Sequence, residues 1–580
     1  MVLTGLLPAA FALTGGALVG SIDGAAAGGF GSAGGRRLVA AIGGVAGLFA
    51  LQQVSGPAVR ALADALGRRV DATVQARAMA ATLAPAGIGH LEDPDVADQI
   101  AAARSVGTGN VTAKDAVVGL AAVAASGIGG LASAAVLAAY RWWLAATLLV
   151  LYAAMSRVFT RQLQRTVGSL RGHARRFRRS SYFRDLALGP AAANELRVFG
   201  LGSWVGRRFT EQWELAMEGF WHERRHRRWV PPAGAVVLLA AQGGTYALLG
   251  RSAARGEISL GAFAAFSGAA TGVLAVFATG TDKLNITYGT ASVPAAIELE
   301  RIAADRRFEL TGTRPARGMP ASEIRFDRVT FRYPGRTDPV FRHLDLVVEA
   351  GRSLAVVGQN GAGKTTLVKL LARLYDPTEG RVTVDGFDLA DIDPRAWQRR
   401  IAAIFQDFTH YQLPAADNVG FGAIERSGDR TALRDAAERA GADEIIDRLP
   451  AGWDTVLARG SPGAVDLSGG QWQRIALARA LFAVDGGAGV LILDEPTAAL
   501  DVRAEAAFFD RFLELTRGLT TIVISHRFST VCRADRIVVI EDGVVVEDGD
   551  HETLRAAGGR YAHMFDLQAA HLASGSGSDG

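Results

Sequence analysis

Six runs of the chain are long and apolar enough to span a bilayer core, which takes about 20 residues per helix. They are, approximately, Val2 to Gly20, Leu38 to Val59, Ala116 to Tyr140, Trp142 to Phe159, Val230 to Gly250 and Leu260 to Gly280. Several are rich in Ala and Gly rather than Leu, so each alone also reads as a buried helix of a soluble protein; six together, at this spacing, predict transmembrane helices. Small residues at short intervals, Gly15, Gly16 and Gly20 in the first run and Gly43, Gly44 and Gly47 in the second, predict close helix packing in lipid. Pro8 is tolerable in that setting. The first run lacks a basic n-region and reads as a span rather than a cleaved signal. It begins abruptly, so the sequence predicts either a start upstream or a membrane domain without a lead-in helix. From Ala291 the pattern turns polar. Thr311 to Pro320 reads as a linker by its Pro and Gly content, and short apolar strand patterns alternate with helical ones to about Ala570. The boundaries read as 1–310 for the membrane domain with two long cytoplasmic loops, 311–321 for the linker, 322–570 for a second domain and 571–580 for a flexible tail.

The connections between spans alternate in length. Those after the first, third and fifth are short, and those after the second and fourth run to about 56 and about 70 residues. Between Arg157 and Arg228 there are 16 Arg against six acidic residues. An excess of that kind places the long connections on the cytoplasmic side, in the cell membrane, and accounts for the basic run Arg171 to Arg184 without nucleic acid as a partner. Trp142 and Trp143 sit where an aromatic belt would lie. Polar residues within spans are few: Gln52, Gln53 and Gln242, with Asp282, Lys283 and Asn285 near the inner end of the sixth. They are candidates for a transport pathway, although a solvated interfacial pair is the rival reading of Asp282 and Lys283.

Composition fits a membrane domain fused to a soluble one: mean hydropathy is +0.17 with 21% charged residues. The single cysteine, Cys532, allows no intramolecular disulfide, and no structural metal is implied. Lysine is scarce. Only Lys114, Lys283, Lys364 and Lys369 stand among 62 Lys plus Arg, so a lysine in a slot that needs a point charge on a flexible stem is informative.

Lys364 is such a case. Gly358-Gln359-Asn360-Gly361-Ala362-Gly363-Lys364-Thr365 is a full phosphate-binding loop, with a strand pattern before it and a helix pattern, from Thr366, after it. The glycines let backbone amides wrap a polyphosphate at a helix N-terminus, Lys364 reaches the β/γ-phosphates, and the Thr365 hydroxyl faces Mg²⁺. Gly489-Val490-Leu491-Ile492-Leu493-Asp494-Glu495-Pro496 reads as a buried strand ending in two acids. Asp494 is the candidate Mg²⁺ partner and Glu495 the candidate for polarising the attacking water. Leu467-Ser468-Gly469-Gly470-Gln471 leads into a helix pattern and makes a second anion site from a Ser hydroxyl and Gly amides.

With these three motifs in order, the chain resembles an ATP-binding cassette (ABC) transporter of the exporter type over nearly its whole length. The resemblance implies a membrane α-helical bundle of six transmembrane helices, followed by an α/β P-loop ATPase domain with a helical subdomain. It also implies ATP and Mg²⁺ as cofactors. Tyr333 in Phe331-Arg332-Tyr333-Pro334 matches the family's adenine-stacking aromatic. Gln406 matches the Q-loop glutamine that contacts Mg²⁺ or water, Asp501 in Ala499-Leu500-Asp501 matches the D-loop, and His526 matches the switch histidine at the γ-phosphate. One departure lies before the signature. Ala458-Arg459-Gly460 and the longer stretch Ser461 to Asp466 replace the family's Glu-Arg-Gly segment.

The family binds ATP between the P-loop of one chain and the signature of another. The resemblance therefore implies a homodimer, or else a pair with a second half-transporter, embedded in membrane lipid, with short coupling helices near Ala86 to Val96 and Ala191 to Trp204. The expected activity is ATP hydrolysis coupled to export of a peptide, lipid or drug-like substrate. Import of a siderophore through the same fold and a non-transport ABC ATPase are the alternatives. The signature context and the stretch after Gln406 resemble exporters of peptides, bacteriocins or drugs, and the transported substrate stays open. No peptidase domain precedes the first span, so leader cleavage is not expected.

Overall fold

The apolar runs become helices, and several helices outrun them. A computed structural model describes residues 1–103, 112–172, 174–190, 192–226, 229–277, 281–290, 293–305, 309–495, 512, 514–525 and 527–575. Among these, six stretches are long and apolar enough to cross a membrane: Val2–Gly28, Ala33–Leu83, Ala113–Ala138, Trp142–Gln162, Val230–Ala254 and Leu260–Ala303. The last contains the helices Leu260–Val273, Thr281–Gly289 and Val293–Ala303. The helix Ala33–Leu83 has 51 residues, which is about 77 Å at 1.5 Å per residue, against a hydrocarbon core of about 30 Å. Part of the first of the two long connections is therefore the same helix continued. The second is mostly helical too: Trp142–Gly172, Ala174–Leu188, Ala193–Val198 and Gly202–His226. Arg, Ala, Leu and Gln are all good helix formers, so loss of apolar character in these stretches ends the span without ending the helix.

The chain forms two compact units, residues 1–80 with 98–300, and residues 81–97 with 301–580. In the first, small residues set the packing of Val2–Gly28 on Leu260–Val273. A Cβ added at Gly16 would stand 2.6 Å from the Gly261 carbonyl oxygen, and one at Gly261 would stand 2.6 Å from that of Gly16. Backbones approach this closely only where both side chains are absent. The glycines of the second run differ: a Cβ at Gly43 or Gly47 meets nothing within 4 Å, and one at Gly44 only a methyl at 3.9 Å. They form no tight contact among the described residues, against the expectation from their spacing; spacing identifies a face but not what packs on it. The Tyr152 hydroxyl donates to Gln242 Oε1 at 2.7 Å, which gives that intramembrane glutamine a structural partner. Lys283 Nζ donates to Ser156 Oγ.

In the second unit the strands are β1 Glu323–Phe331, β2 Phe341–Glu349, β3 Ser353–Val357, β4 Glu379–Val384, β5 Phe387–Asp388, β6 Ile401–Ile404, β7 Val490–Asp494, β8 Thr520–Ile524, β9 Arg536–Glu541 and β10 Val544–Gly549. β2-β1-β4-β5 form an antiparallel sheet, and β10-β9-β3-β8-β7-β6 form a second sheet that is parallel from β9 to β6. β7 and β8 are buried at every position, as the continuous apolar sequences VLILD and TTIVI require of a strand covered on both faces. One apolar cluster joins Phe326, Phe341, Val356, Leu367, Trp397 and Ile522 across the sheets and the helix Lys364–Leu371. Another is built on the helices Ala415–Gly420, Arg430–Ala440, Asp443–Asp447 and Gly469–Asp485, the helical subdomain. The stretch read as a linker is fastened to this unit. Thr313 and Arg314 donate backbone N–H groups to Asp391, Ala316 is buried, and the buried Arg373 guanidinium donates to the carbonyls of Thr311 and Ala390. At the other end, the helix Arg560–Gly575 extends five residues into the stretch read as a tail.

Candidate nucleotide site

Strand register builds the site. Val356 of β3 pairs with Ile524 of β8, and Ile524 pairs with Asp494 of β7, so the P-loop and the two acids leave the sheet at one edge. β6 joins them, with Ile404 beside Leu493, and Gln406 follows two residues later, exposed to solvent. Ligands of open parallel sheets bind outside the carboxyl ends of the strands, as here.

The P-loop then turns through Gly358, Gly361 and Gly363, with φ of 157°, 86° and 101°. Two of these positions cannot carry a side chain: a Cβ on Gly358 would stand 2.4 Å from the Ile540 carbonyl oxygen, and one on Gly363 2.7 Å from the Phe341 ring. The loop hands over to the helix Lys364–Leu371, whose first N–H groups have no intrahelical acceptor. Lys364 is buried, and its Nζ donates to the Gly358 and Gln359 carbonyls at 2.9 and 3.0 Å. Burial lowers its pKa, while Glu495 and Asp494 pull the other way; those carboxylates are thus close enough to act on the same charge. Asp494 is 1% exposed. Glu495 takes φ 48° and donates its N–H to the Ile524 carbonyl at 2.9 Å. A left-handed conformation is rare for a residue of this kind and recurs at functional sites. Tyr333, just past β1, joins the same site, with its hydroxyl 3.0 Å from Thr366 Oγ1.

Ser468 caps the helix Gly469–Asp485 through a capping box: its Oγ accepts from the Gln471 N–H at 3.4 Å, and its own N–H donates to Gln471 Oε1 at 2.8 Å. Ser468 and Gly469 are exposed, Gly470 and Gln471 half-buried. The next residues, Trp472 and Gln473, are buried, in the helical subdomain and not in the cluster that holds the P-loop helix. The signature therefore presents its helix N-terminus outward from the subdomain. In place of the family's Glu-Arg-Gly segment there is a turn: Ala458 N–H donates to Val465 and Val465 N–H to Val456, with Arg459 paired to Asp466.

The structure thus brings together Gly358, Asn360, Gly361, Gly363, Lys364, Thr365, Thr366, Tyr333, Asp494 and Glu495, with Gln406 on the same sheet edge. Asp501 and His526 lie outside the described residues. Sequence reasoning missed the support behind the site. His410 stacks on Trp472, with ring centroids 4.3 Å apart and planes within 1°, and so ties the segment after Gln406 to the signature helix. Lys369 lies 5.1 Å from the Tyr333 ring centroid; its rarity in an Arg-rich chain was the one available signal.

Residues 341–498, which span the P-loop, the signature and Asp494-Glu495, match the family model described as ABC transporter. This stretch of the chain is an ABC transporter domain. A solved structure described as a bacterial Atm1-family ABC exporter with ATP bound has the same fold, with a TM-score of 0.72 at 24% identity over 98% of this chain and 97% of that one. This is the exporter-type arrangement of a six-helix bundle followed by one P-loop ATPase domain. Among curated relatives, the ATP-dependent lipid A-core flippase of Nitrosococcus oceani is 36% identical over 390 residues, 65% of this chain and 62% of that protein. The protein of the same name from Alkalilimnicola ehrlichii is 44% identical over 260 residues, 44% of this chain and 42% of that one. The chain thus spans between about two fifths and about three fifths of the length of these curated relatives.

Proposed function

We propose that this protein is an ATP-driven membrane transporter that exports its substrate, with six spans in the cell membrane and its ATPase unit in the cytoplasm. It works as a dimer of two identical chains that closes ATP between the P-loop of one and Ser468 to Gln471 of the other. The observation that carries the reading is the pair of half-sites. One sheet edge gathers Lys364, Asp494 and Glu495, while the signature amides face outward on a separate subdomain and need a second chain to complete them.

Within such a site Lys364 and the P-loop amides hold the polyphosphate, and Tyr333 supports adenine. Glu495 orients and polarises water against the terminal phosphate, and His526 and Asp501 take their family roles there. A hydroxyl, a carboxylate and an amide oxygen, from Thr365, Asp494 and Gln406, are hard donors of the kind Mg²⁺ takes beside phosphate oxygens. When bound, that ion neutralises charge between the β- and γ-phosphates. The short helices Gly89–Glu92 and Ala193–Val198 are the coupling helices.

For the substrate class we favour an amphiphile with an apolar body and an anionic group. The first unit holds a groove of about 1150 Å³ whose lining includes Leu13, Gly16, Val136 and Phe266, with Arg37 as its cation. The relatives named as lipid A-core flippases support the same class. In lipid nanodiscs, ATPase stimulation by anionic amphiphiles but not by neutral analogues is expected.

The decisive test is complementation. Lys364→Ala and Ser468→Arg homodimers should each be inactive. A mixed dimer, isolated through two tags, combines both lesions in one site, leaves the other intact and should recover part of the ATPase activity. A mixed dimer no more active than either parent, with assembly and ATP binding verified, overturns the shared-site reading.

A further inference from the structure

Residues 81–97 begin in the last three residues of the helix Ala33–Leu83 and pack within the same compact unit as residues 301–580. Backbone contacts fasten them there. Ile88 N–H donates to the Leu374 carbonyl at 3.1 Å, Arg395 donates to the Ala84 carbonyl at 2.9 Å and Gln398 to that of Ala86 at 3.0 Å. A Cβ on Gly87 would stand 2.8 Å from the Leu374 carbonyl oxygen.

From this fixed segment the helix Gly89–Glu92 presents one carboxylate to two groups. Glu92 Oε1 accepts from Lys369 Nζ at 2.8 Å, and Oε2 accepts from the Tyr375 hydroxyl. Both of these groups bear on Tyr333. Lys369, one turn beyond Thr365 on the P-loop helix, holds its ammonium 5.1 Å from the Tyr333 centroid and 5.8 Å from that of Tyr375. Tyr375 meets Tyr333 edge-on, with centroids 5.5 Å apart at 86°. Phe331 packs on Tyr333 at 5.0 Å and 79°, and Thr366 Oγ1 fixes its hydroxyl. Burial would raise the Glu92 pKa, but the bonds from Lys369 and Tyr375 outweigh it and the net shift is downward. The carboxylate thus stays ionised at neutral pH, the form that accepts both bonds.

We propose that Glu92 is a positioning residue for adenine: by holding Lys369 and Tyr375 it sets the plane of the Tyr333 ring, and so links the segment 81–97 to nucleotide affinity. This rests on the reading of Tyr333 as the adenine platform. Lys369 and Tyr375 each touch both the carboxylate and the ring, so a displacement of Glu92 cannot leave the ring's surroundings unchanged. The link is reciprocal: nucleotide on Tyr333 stabilises the same position of residues 81–97.

The test measures KM and kcat of the full-length protein in nanodiscs for ATP and for UTP, whose smaller base stacks less. Glu92→Gln should raise KM for ATP by about 3- to 10-fold, the size of one cation–π or charged hydrogen-bond contribution. It should leave kcat within about twofold and KM for UTP nearly unchanged. Lys369→Met should do the same and Lys369→Arg should largely restore the parent values, because Arg keeps the charge over the rings. A Glu92→Gln protein that loses kcat on both nucleotides with KM unaltered overturns the proposal, since that is the mark of a docking contact. Tyr333→Ala separates the two readings. If it raises KM for ATP while Glu92→Gln does not, the positioning role falls and the platform stands; if it leaves KM unchanged, both fall.

Discussion

Glu495 offers a perturbation whose effects on chemistry and on folding are separable. Replacing its carboxylate with an amide of nearly the same shape, Glu495→Gln, removes the group proposed to polarise water and leaves the P-loop untouched. Loss of a general base costs about 10²- to 10⁴-fold in rate, or about 3 to 5 kcal/mol of barrier at 1.36 kcal/mol per decade. ATP affinity should change little, because the proposed binding contacts come from Gly358 to Thr366 and Tyr333. The backbone adds a second, independent expectation. Glu495 holds φ 48°, a left-handed conformation that costs an L-residue about 1 to 2 kcal/mol. Glu495→Gly removes that strain while adding unfolded-state freedom worth about 0.4 to 1 kcal/mol, so the net is a gain of about 0 to 1.6 kcal/mol. Glu495→Gly should therefore be as slow as Glu495→Gln in steady-state phosphate release, yet unfold at a temperature equal to or above that of the parent. Turnover by Glu495→Gln within about threefold of the parent would refute the assignment of the base. A large fall in unfolding temperature for Glu495→Gly would show instead that the residue holds the sheet edge together.

Two further outcomes follow from the packing. Gly261→Val should push Leu260–Val273 off Val2–Gly28, because its Cβ would meet backbone atoms of Gly16 and Gly20 at 2.6 to 3.0 Å. A cost of about 1 to 3 kcal/mol is expected, seen as a lower unfolding temperature in nanodiscs, whereas Gly15→Ala, with nothing within 4 Å of the new Cβ, should leave it unchanged. Asp385 is a third case: its carboxylate accepts from the N–H groups of Ala321, Ser322 and Glu323. Burial would raise its pKa, but these bonds prevail and lower it. The stability it supplies is therefore present above the ordinary carboxylate pKa of about 3.9 and lost as pH falls through the lower folded value. Asp385→Ala should cost about 1 to 3 kcal/mol at neutral pH and flatten acid unfolding in that range; equal unfolding curves at pH 7 would show that the cap contributes nothing.

What the sequence determined by itself is whatever depends on local pattern. Run length and apolar content mark six spans, because a helix crossing a bilayer must satisfy its own backbone and bury its side chains in lipid. Gly358 to Thr365, Ser468 to Gln471 and Asp494-Glu495 are legible because phosphate binding needs glycines, one lysine and acids at fixed separations along the chain. Where helices end inside the long connections was not legible, since Arg-rich segments are both polar and helix-forming. Nor does spacing distinguish Gly16, pressed against Gly261, from Gly43, which meets nothing; the difference lies in the neighbouring helix. Tertiary structure alone decided that Val356, Ile524 and Asp494 fall in line, because strand order β3-β8-β7 is set by crossovers and not by sequence proximity. It also decided that Glu92 reaches Lys369 and Tyr375 across some 280 residues. A lone carboxylate in a short helix carries no periodicity and no motif, and acquires its partners only when residues 81–97 and 301–580 fold as one unit.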